Sequence, residues 1–342
     1  MMPTRRSFLG LLGGGALAGP ALVTVFGTGE NVAAASPAVA GTVRTAFNWV
    51  PEVGWAPWYL ADANGLFTTQ GVTAPFVYSG PNDRPVNQIV RAGEADVGVA
   101  ADELQLIQAN RQGADFVILG AMYQRSPNGF LWLAQTPIAA PRDLVGKRIG
   151  LNSGDRARVN AVFRINGLPA DYQAVPMGLD PQPLVDGAAD VMTCYVTNQP
   201  IRLQLQGIAV RSVPYSDFGL KSYGGVLFAS RRYVETNRDL LTHYFAGLLG
   251  GVDANVADPN AVLPVLKAID PNVDLAYSEA GNRAYNALLD SDYTKIHGRL
   301  MIDPAFVEGQ VYPSYIAAGE TNLPPVSQLL DPTVMADAHT LL

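Results

Sequence analysis

The sequence predicts an α/β protein whose mostly parallel sheets are flanked by helices and followed by a helical C-terminal region. Short apolar runs of strand type alternate with helical segments as far as Arg231, and strand patterns then disappear. The chain has 342 residues, of which 48% are hydrophobic, so it can build a full core and two lobes. We therefore expect α/β lobes joined by short connections, with a helical pack at the C-terminal end.

Ten segments have the length and composition of strands. They are Thr42–Phe47, Ala74–Tyr78, Asp96–Ala100, Phe116–Met122, Phe130–Ala134, Arg148–Leu151, Gln173–Pro176, Asp190–Cys194, Ala209–Val213 and Val226–Ala229. Proline and glycine mark the helices between them: Pro57 begins one helix, and Gly113 ends another that starts at Asp102. After the last strand, helices are predicted over Asp239–Val256, Asn260–Ile269, Leu275–Leu289 and Pro304–Ala318.

Residues 1–40 have the pattern of an export signal. Arg5 and Arg6 precede Ser-Phe-Leu and an uncharged Gly/Ala/Leu stretch, and small residues suited to cleavage follow at 33–35 and 38–40. The arginine pair resembles the twin-arginine signal, which predicts the twin-arginine export machinery as a partner and a periplasmic or extracytoplasmic location. A disordered or anchoring N-terminus is the alternative.

Composition argues against several classes of function. Cys194 is the sole cysteine, so we expect no intrachain disulfide, no lipid attachment and a soluble monomer. The three histidines lie in the C-terminal part, which leaves Cys194 without a nearby base and the sequence without a visible metal-ligand cluster, and we expect no cofactor. Removing residues 1–40 takes away two bases and one acid, so the formal net charge of −7 becomes −8, which disfavours nucleic acid as a partner.

A dense aromatic turn joins the first strand to its helix and holds three of the chain's four tryptophans. Because open α/β sheets bind ligands at strand carboxyl ends, Asn48 and Trp49 are candidate ligand contacts. Trp55 and Tyr59, four residues apart, share a helix face that could line the same cleft, whereas Trp58 has the helical phase of a core residue. The alternative for the whole turn is a corner of the hydrophobic core.

A second candidate cluster lies at residues 189–200, where an apolar strand leads into a helix that begins with a proline. The ring of Tyr195 and the amides of Asn198 and Gln199 emerge at this strand end and could recognise a small, flat, polar molecule. Asp102, at another strand end, could bond a ligand amine or cap its own helix.

Motifs spaced along the mature chain resemble, in order, those of exported solute-binding proteins of the thiamine-pyrimidine-precursor and aliphatic-sulfonate type, the ligand carriers of ABC importers. The motifs are Asn-Trp-Val-Pro at 48–51, Tyr-Leu-Ala at 59–61, Asn-Gly-Leu-Phe at 64–67, Gly-Glu-Ala-Asp-Val-Gly at 93–98, Asp-Leu-Val-Gly-Lys-Arg-Ile-Gly at 143–150, the stretch from 185 to 200, and Tyr-Gly-Gly at 223–225. An ordered series of this length is more specific than any single motif.

The resemblance implies a periplasmic-binding-protein type II-like fold, in which two lobes close on a ligand around a hinge. It assigns residues 42–127 and 224–342 to one lobe and 128–223 to the other, with hinge crossings near 126–129 and 221–224. On this layout the ligand lies between Asn48, Trp49, Trp55, Tyr59 and Asp102 of the first lobe and Ser153, Gly154, Tyr195, Asn198 and Gln199 of the second. The implied partners are a small-molecule ligand and an ABC transporter permease.

Two departures from the family pattern bear on the ligand. Trp55 stands where the pyrimidine-binding subgroup has a histidine, and Gln199 stands where that subgroup has a glutamate. A neutral amide both donates and accepts hydrogen bonds. These departures favour a flat heteroaromatic ligand, similar to a thiamine pyrimidine precursor, that is held by stacking and amide hydrogen bonds.

Two other functions stay open at this point. One is the transport of an organic anion such as an aliphatic sulfonate, with Arg156 or the helix start at Ser153 as its contact. The other is a pyrimidine-synthesising enzyme, as in a fungal branch related to this family, although that branch carries a cysteine-rich iron site and this chain has one cysteine. Tyr123 and Tyr223, beside the implied crossings, are either hinge packing or ligand wall.

Overall fold

The computed structural model describes residues 40–80, 83–151 and 155–342 of the chain. The predicted export signal lies outside the described residues, apart from its last alanine, and so do the predicted ligand contacts Ser153 and Gly154. Within the described ranges, no helix has the length and apolarity needed to cross a lipid bilayer.

The described residues form two five-stranded sheets and one two-stranded parallel pair. The strands are β1 (Gly41–Thr42), β2 (Thr45–Phe47), β3 (Val72–Thr73), β4 (Phe76–Tyr78), β5 (Val97–Ala100), β6 (Phe116–Tyr123), β7 (Asn128–Leu133), β8 (Arg148–Leu151), β9 (Gln173–Pro176), β10 (Val191–Tyr195), β11 (Val210–Pro214) and β12 (Gly224–Ser230). The first sheet has the order β4-β2-β5-β12-β6, and the second has the order β11-β7-β10-β8-β9. All ten predicted strands are present, with the first of them divided between β1 and β2.

Helices cover the sheets and form the C-terminal region, which confirms the predicted α/β class. They are α1 (Ala56–Ala63), α2 (Leu66–Thr69), α3 (Val86–Arg91), α4 (Glu103–Arg111), α5 (Asp155–Ile165), α6 (Gln182–Val185), α7 (Gln199–Leu205), α8 (Arg231–Thr236), α9 (Arg238–Ala257), α10 (Leu263–Ile269), α11 (Leu275–Asn286), α12 (Asp292–His297), α13 (Pro304–Phe306), α14 (Tyr312–Ala318), α15 (Val326–Leu329) and α16 (Thr333–His339). The four helical segments predicted after Arg231 correspond to α9, α10, α11 and the run from α13 to α14, which a π-helical turn joins.

The sheets are more mixed than the sequence predicts. In the first sheet β2 is parallel to β4 and β5, but β12 is antiparallel to β5 and β6. In the second sheet β8 is parallel to β9 and β10, but β7 is antiparallel to β10 and β11. β7 and β12 are the strands that follow a passage of the chain from one sheet to the other. Each starts at the edge where its neighbours end, and it therefore runs in the opposite direction.

Two short passages connect the sheets. The chain leaves β6 through residues 124–127 to begin β7, and it leaves β11 through residues 215–223 to begin β12. The second passage includes a 3₁₀ turn at Tyr215–Phe218. Both passages start at carboxyl ends of strands, so this topology brings the ligand-binding edges of two α/β sheets together.

A packed core holds the aromatic turn that follows β2. Trp58 is fully buried, as the sequence predicts, and its indole N–H donates to the Tyr244 hydroxyl at 2.8 Å. That hydroxyl lies 2.6 Å from Oγ1 of Thr45. Helices α1 and α9 approach closely at Gly251, where an added Cβ would lie 2.1 Å from the Pro57 carbonyl oxygen. The turn is therefore anchored on a closely packed helix pair.

The C-terminal helix α14 contacts elements on both sides of the passages. The Tyr315 hydroxyl donates to Oε2 of Glu103 in α4 at 2.8 Å. On the other side, the Arg164 guanidinium in α5 donates to the Ala317 carbonyl oxygen at 3.2 Å. The C-terminal region therefore packs on the second sheet's helix as well as on the first sheet.

Candidate functional site

A cavity of about 560 Å³ lies between the carboxyl ends of the two sheets. Its volume falls within the range of about 300–1,000 Å³ that is usual for small-molecule sites. Its lining residues are Asn48, Trp49, Glu52, Trp55, Tyr123, Leu179, Asp180, Pro181, Tyr195, Asn198, Gln199, Arg202, Gly225 and Tyr285. Aromatic rings and a few polar groups dominate this set.

The first wall comes from the turn after β2. Asn48 and Trp49 follow the strand directly, and Trp55 closes a 3₁₀ turn that leads into α1. The Trp55 ring stacks on Phe47 with 4.6 Å between ring centroids, and its indole N–H donates to the Val50 carbonyl oxygen at 3.1 Å. Because both contacts fix its orientation, Trp55 presents a preformed ring surface to the cavity.

Two stacked tyrosines extend this aromatic wall. Tyr123 ends β6, and its ring stacks on Tyr285 of α11 at 5.3 Å between centroids. The Tyr123 hydroxyl donates to the Gly54 carbonyl oxygen at 3.3 Å. Gly225, beside Tyr123, adopts a φ of 58°, a left-handed conformation that favours glycine, and it leaves the ring uncovered on the cavity side. Tyr123 is therefore part of the cavity wall.

The second wall is the strand end of β10 and the start of α7. Gln199 is buried, and its side-chain oxygen accepts from the Tyr195 backbone N–H at 2.9 Å. Its amide nitrogen donates to the Leu179 carbonyl oxygen at 3.3 Å. Asn198 accepts at Oδ1 from Nε of Arg202 at 2.9 Å. Gln199 therefore organises Tyr195 and the loop at 179–181 more than it projects free polar atoms toward a ligand.

Three charged side chains line the cavity, namely Glu52, Asp180 and Arg202. Oε1 of Glu52 accepts from the Tyr285 hydroxyl at 3.1 Å. Burial raises the pKa of Glu52 to about 7, and the hydrogen bond from Tyr285 and the charge of Arg202 oppose that rise. An acid that ionises near neutral pH, inside a cavity, is typical of a functional site.

Arg202 is already engaged by protein groups. Its guanidinium lies 3.9 Å from the centroid of the Tyr277 ring, and its Nη1 lies 3.9 Å from Oδ2 of Asp274. Tyr277 lies in α11 and Asp274 caps its N-terminus, so Arg202 joins α7 on one side of the cavity to α11 on the other. Burial raises the pKa of Tyr195 to about 12, and it raises those of Tyr123 and Tyr285 well above their usual value. These hydroxyls are neutral donors at physiological pH.

Six of the ten predicted ligand contacts line the cavity: Asn48, Trp49, Trp55, Tyr195, Asn198 and Gln199. Tyr59 does not line it; the residue is buried and accepts a hydrogen bond from the Tyr78 hydroxyl at 3.2 Å. The predicted helical relation between Trp55 and Tyr59 does not hold, because Trp55 lies in a 3₁₀ turn and α1 begins only at Ala56.

Asp102 also lies outside the cavity lining. Its Oδ1 caps α4 by accepting from the Gln105 backbone N–H at 3.1 Å, and its Oδ2 pairs with the Arg158 guanidinium at 2.6 Å. Arg158 belongs to α5 on the other side of the passages and also lies 3.6 Å from Asp155. Asp102 therefore combines the predicted capping role with an ion pair that joins the two sheet-bearing halves.

The sequence interpretation missed Glu52, Arg202 and Tyr285. Glu52 stands inside the aromatic turn that was singled out, and Arg202 stands one helical turn after Asn198, so both had a positional signal. Tyr285 had none, because it enters the cavity from a C-terminal helix that is distant in sequence.

The described part of the chain contains no cluster of three or more histidine, cysteine, aspartate or glutamate residues that could hold a metal ion. Cys194 is buried on β10, and burial raises the pKa of its thiol well above the usual value. This thiol is therefore a structural strand residue, as predicted, and not an activated nucleophile.

Two curated binding proteins are similar to this chain. The riboflavin-binding protein RibY of Chloroflexus aurantiacus is 24% identical over 239 residues, which cover 68% of this chain and 68% of that protein. The formylaminopyrimidine-binding protein of Halalkalibacterium halodurans is 24% identical over 232 residues, which cover 66% of this chain and 69% of that protein. Among biosynthetic proteins, the 4-amino-5-hydroxymethyl-2-methylpyrimidine phosphate synthase THI12 of Saccharomyces cerevisiae is 22% identical, over 73% of this chain and 77% of that protein.

The fold is shared with solved binding proteins. The periplasmic aliphatic sulphonate binding protein SsuA of Escherichia coli superposes with a TM-score of 0.63 at 16% identity, over 85% of this chain and 97% of that one. The periplasmic-binding-protein fold implied by the motifs is thereby confirmed. The family model described as NMT1/THI5 like matches residues 53–262, which are more than half of the chain. The protein is therefore a member of the NMT1/THI5-like family.

Proposed function

We propose that this protein is an exported solute-binding protein that captures a small, flat heteroaromatic ligand and delivers it to an ABC importer. The observation that supports the proposal most strongly is the cavity of about 560 Å³ with aromatic rings on opposing walls. Trp49, Trp55, Tyr123 and Tyr285 face it from one side and Tyr195 from the other. A ring that stacks on such surfaces gains about 1–3 kcal/mol per contact.

Capture requires that the two halves of the molecule open and close. We assign residues 42–127 and 224–342 to one lobe, residues 128–223 to the other, and the hinge to the two passages. The ion pair between Asp102 and Arg158 and the contact of Arg202 with Tyr277 join these lobes on either side of the cavity. Hinge closure of this kind sequesters the ligand without any covalent step.

The cavity charges argue against an anionic ligand such as a sulfonate. Arg202 donates from Nε to Asn198, lies 3.9 Å from Asp274 and stacks over the Tyr277 ring. Arg158, two residues after the candidate anion contact Arg156, pairs with Asp102 at 2.6 Å. An anion about 5 Å from an ionised carboxylate is repelled by about 3 kcal/mol at an effective dielectric constant of 20. Ionised Glu52 would impose such a cost on a sulfonate.

The proposal also covers the export route and the oligomeric state of the protein. Residues 1–40 direct the chain through the twin-arginine machinery, and the mature protein acts as a monomer outside the cytoplasm. Two relatives are binding proteins for ring compounds, namely riboflavin and a formylaminopyrimidine, which favours reversible binding over pyrimidine synthesis. The synthase THI12 is also similar to this chain. If the protein binds a ring ligand and does not convert it, it acts as a binding protein and not as a synthase.

Calorimetric titration of the purified exported protein tests the proposal. The probes are 4-amino-5-hydroxymethyl-2-methylpyrimidine, riboflavin, ethanesulfonate and MOPS, each also assayed by its effect on the melting temperature. We expect at least one ring compound to bind and both sulfonates to leave the melting temperature unchanged. Stabilisation by the sulfonates alone would refute the heteroaromatic proposal and support the anion carrier.

A further inference from the structure

Glu52 is placed in the cavity by the backbone of the aromatic turn. It precedes the 3₁₀ turn at Val53–Trp55 in an extended conformation, and its side chain folds back over Gly54. An added Cβ at Gly54 would lie 2.6 Å from Oε1 of Glu52 and 3.3 Å from Cζ of Tyr285. The glycine therefore makes room for the carboxylate to reach Tyr285 at the cavity wall.

The carboxylate of Glu52 forms no ion pair with any residue that the structure describes, although the charge of Arg202 acts on it. Oε1 accepts from the neutral Tyr285 hydroxyl, and no ion pair to Glu52 occurs in the described ranges. Arg202, the cation that lines the same cavity, is held by Asn198 and lies over the Tyr277 ring instead. A carboxylate accepts at both oxygens, so the group retains acceptor capacity on the cavity side.

We infer that Glu52 is the specificity-determining residue of this cavity and that it accepts a hydrogen bond from an N–H group on the edge of a nitrogen heterocycle. The inference rests on the proposed function and names the ligand class more closely: a ring compound that bears an amino, amidine or ring N–H group. The aromatic walls hold the ring faces, and the edge of the ring then meets the polar side chains between the walls.

The position of this acid also accounts for a difference from the resembling subgroup. Gln199 stands where that subgroup has a glutamate, and its amide is occupied by the Tyr195 N–H and the Leu179 carbonyl. In this chain a carboxylate instead enters from the opposite wall, at Glu52. On this inference, the acceptor for a ligand N–H lies at Glu52 and not at position 199.

The test compares wild type with Glu52→Gln in calorimetric titrations. The glutamine keeps an oxygen for Tyr285 and replaces the second acceptor with a donor. The ligand probes are two matched pairs: 4-amino-5-hydroxymethyl-2-methylpyrimidine with its 4-dimethylamino derivative, and riboflavin with 3-methylriboflavin. Glu235→Gln is the matched control, because it removes the same charge from an exposed site in α8, outside the cavity lining.

We expect Glu52→Gln to weaken binding of the N–H form of the ligand roughly 10- to 100-fold, which is the usual contribution of a hydrogen bond to a charged group. Glu235→Gln should change the affinity less than about twofold, as expected for a remote surface site. The methylated derivative should bind wild type and Glu52→Gln with similar, weak affinity. Glu52→Ala, with its melting temperature measured, provides a second variant without a new donor.

The possible outcomes distinguish a wrong assignment of Glu52 from a wrong proposed function. If an N–H probe binds wild type and both Glu52 variants equally, the assignment of Glu52 is overturned while the proposed function stands. Tight binding of the methylated derivative to wild type would overturn it as well. If no ring probe binds wild type at all, the proposed function itself is refuted, and the assignment of Glu52 falls with it.

Discussion

The buried carboxyl group of Glu103 predicts a pH-dependent loss of stability. Glu103 is 0% exposed at the start of α4. Its Oε1 accepts from the Tyr223 backbone N–H at 3.1 Å, and its Oε2 accepts from the Tyr315 hydroxyl at 2.8 Å. Burial is the main cause that raises its pKa to about 7, and the neighbouring charge of Asp102 adds to the rise. Among the described residues, no cation pairs with this carboxylate.

A carboxyl group whose pKa is raised in the folded state destabilises the fold once it ionises. The cost begins as pH rises through the unfolded value near 4.5 and is complete above about 7. Each pKa unit corresponds to about 1.4 kcal/mol, so a rise from 4.5 to about 7 has a full cost of about 3 to 4 kcal/mol. Glu103→Gln cannot ionise and keeps an oxygen for Tyr223. Its free energy of unfolding, relative to wild type, should therefore increase between pH 4.5 and pH 8 by up to this amount.

Urea unfolding at a series of pH values measures this difference. Glu94→Gln is the control, because Glu94 pairs with Arg84 at the surface and the pKa of its carboxyl is lowered. That variant should lose stability relative to wild type as pH rises, which is the opposite trend. A difference between Glu103→Gln and wild type that stays constant, or that becomes less favourable to the variant as pH rises, would refute the reasoning.

Tyr195→Ala should weaken binding of a ring ligand by about 1–3 kcal/mol in calorimetry, and an unchanged affinity would remove that ring from the site. Gly251→Ala should lower the free energy of unfolding by about 1–3 kcal/mol, since its Cβ would lie 2.1 Å from a carbonyl oxygen of α1. Gly250→Ala meets only a side-chain tip at 3.1 Å and should be neutral or stabilising, so equal destabilisation of the two would contradict the packing argument. Asp102→Asn removes the charge partner of Arg158 and should accelerate ligand dissociation in stopped-flow tryptophan fluorescence; an unchanged rate would exclude this ion pair from closure.

The strands and the C-terminal helices could be predicted because their local patterns agree with their final surroundings. Val97–Ala100 and Phe116–Tyr123 are buried throughout, as expected for apolar runs in a central sheet. The direction of each strand could not be predicted from local patterns. The reversed direction of β7 and β12 follows from where the chain passes between the sheets, which is a property of the whole topology.

The cavity was predicted where its residues follow strand ends, and it was missed where they arrive from elsewhere. Asn48 comes directly after β2, and Tyr195 ends β10. Because α/β sheets bind ligands at the carboxyl ends of their strands, both residues could be predicted. Tyr59 was predicted wrongly to face the cleft, because a 3₁₀ turn changes the phase of the chain before α1. Tyr285 enters from a C-terminal helix, and its role depends on tertiary packing that no local pattern records.

Glu52 shows how a structure alters the meaning of a sequence feature. From the sequence alone, the loss of glutamate at position 199 indicated a cavity that binds its ligand through neutral amides. The structure places another carboxylate in the same cavity and engages the Gln199 amide with backbone groups. The balance of charge in the cavity is therefore acidic, with Glu52 and Asp180 against Arg202.

A crystal structure of the exported protein with a bound ring compound would show whether the cavity holds such a ligand against Glu52. We expect the ring to lie between Tyr195 and the wall formed by Trp49 and Trp55, with an N–H group within hydrogen-bonding distance of the Glu52 carboxylate. A ring bound elsewhere, or a ring in the cavity whose N–H groups point away from Glu52 toward solvent, would contradict it.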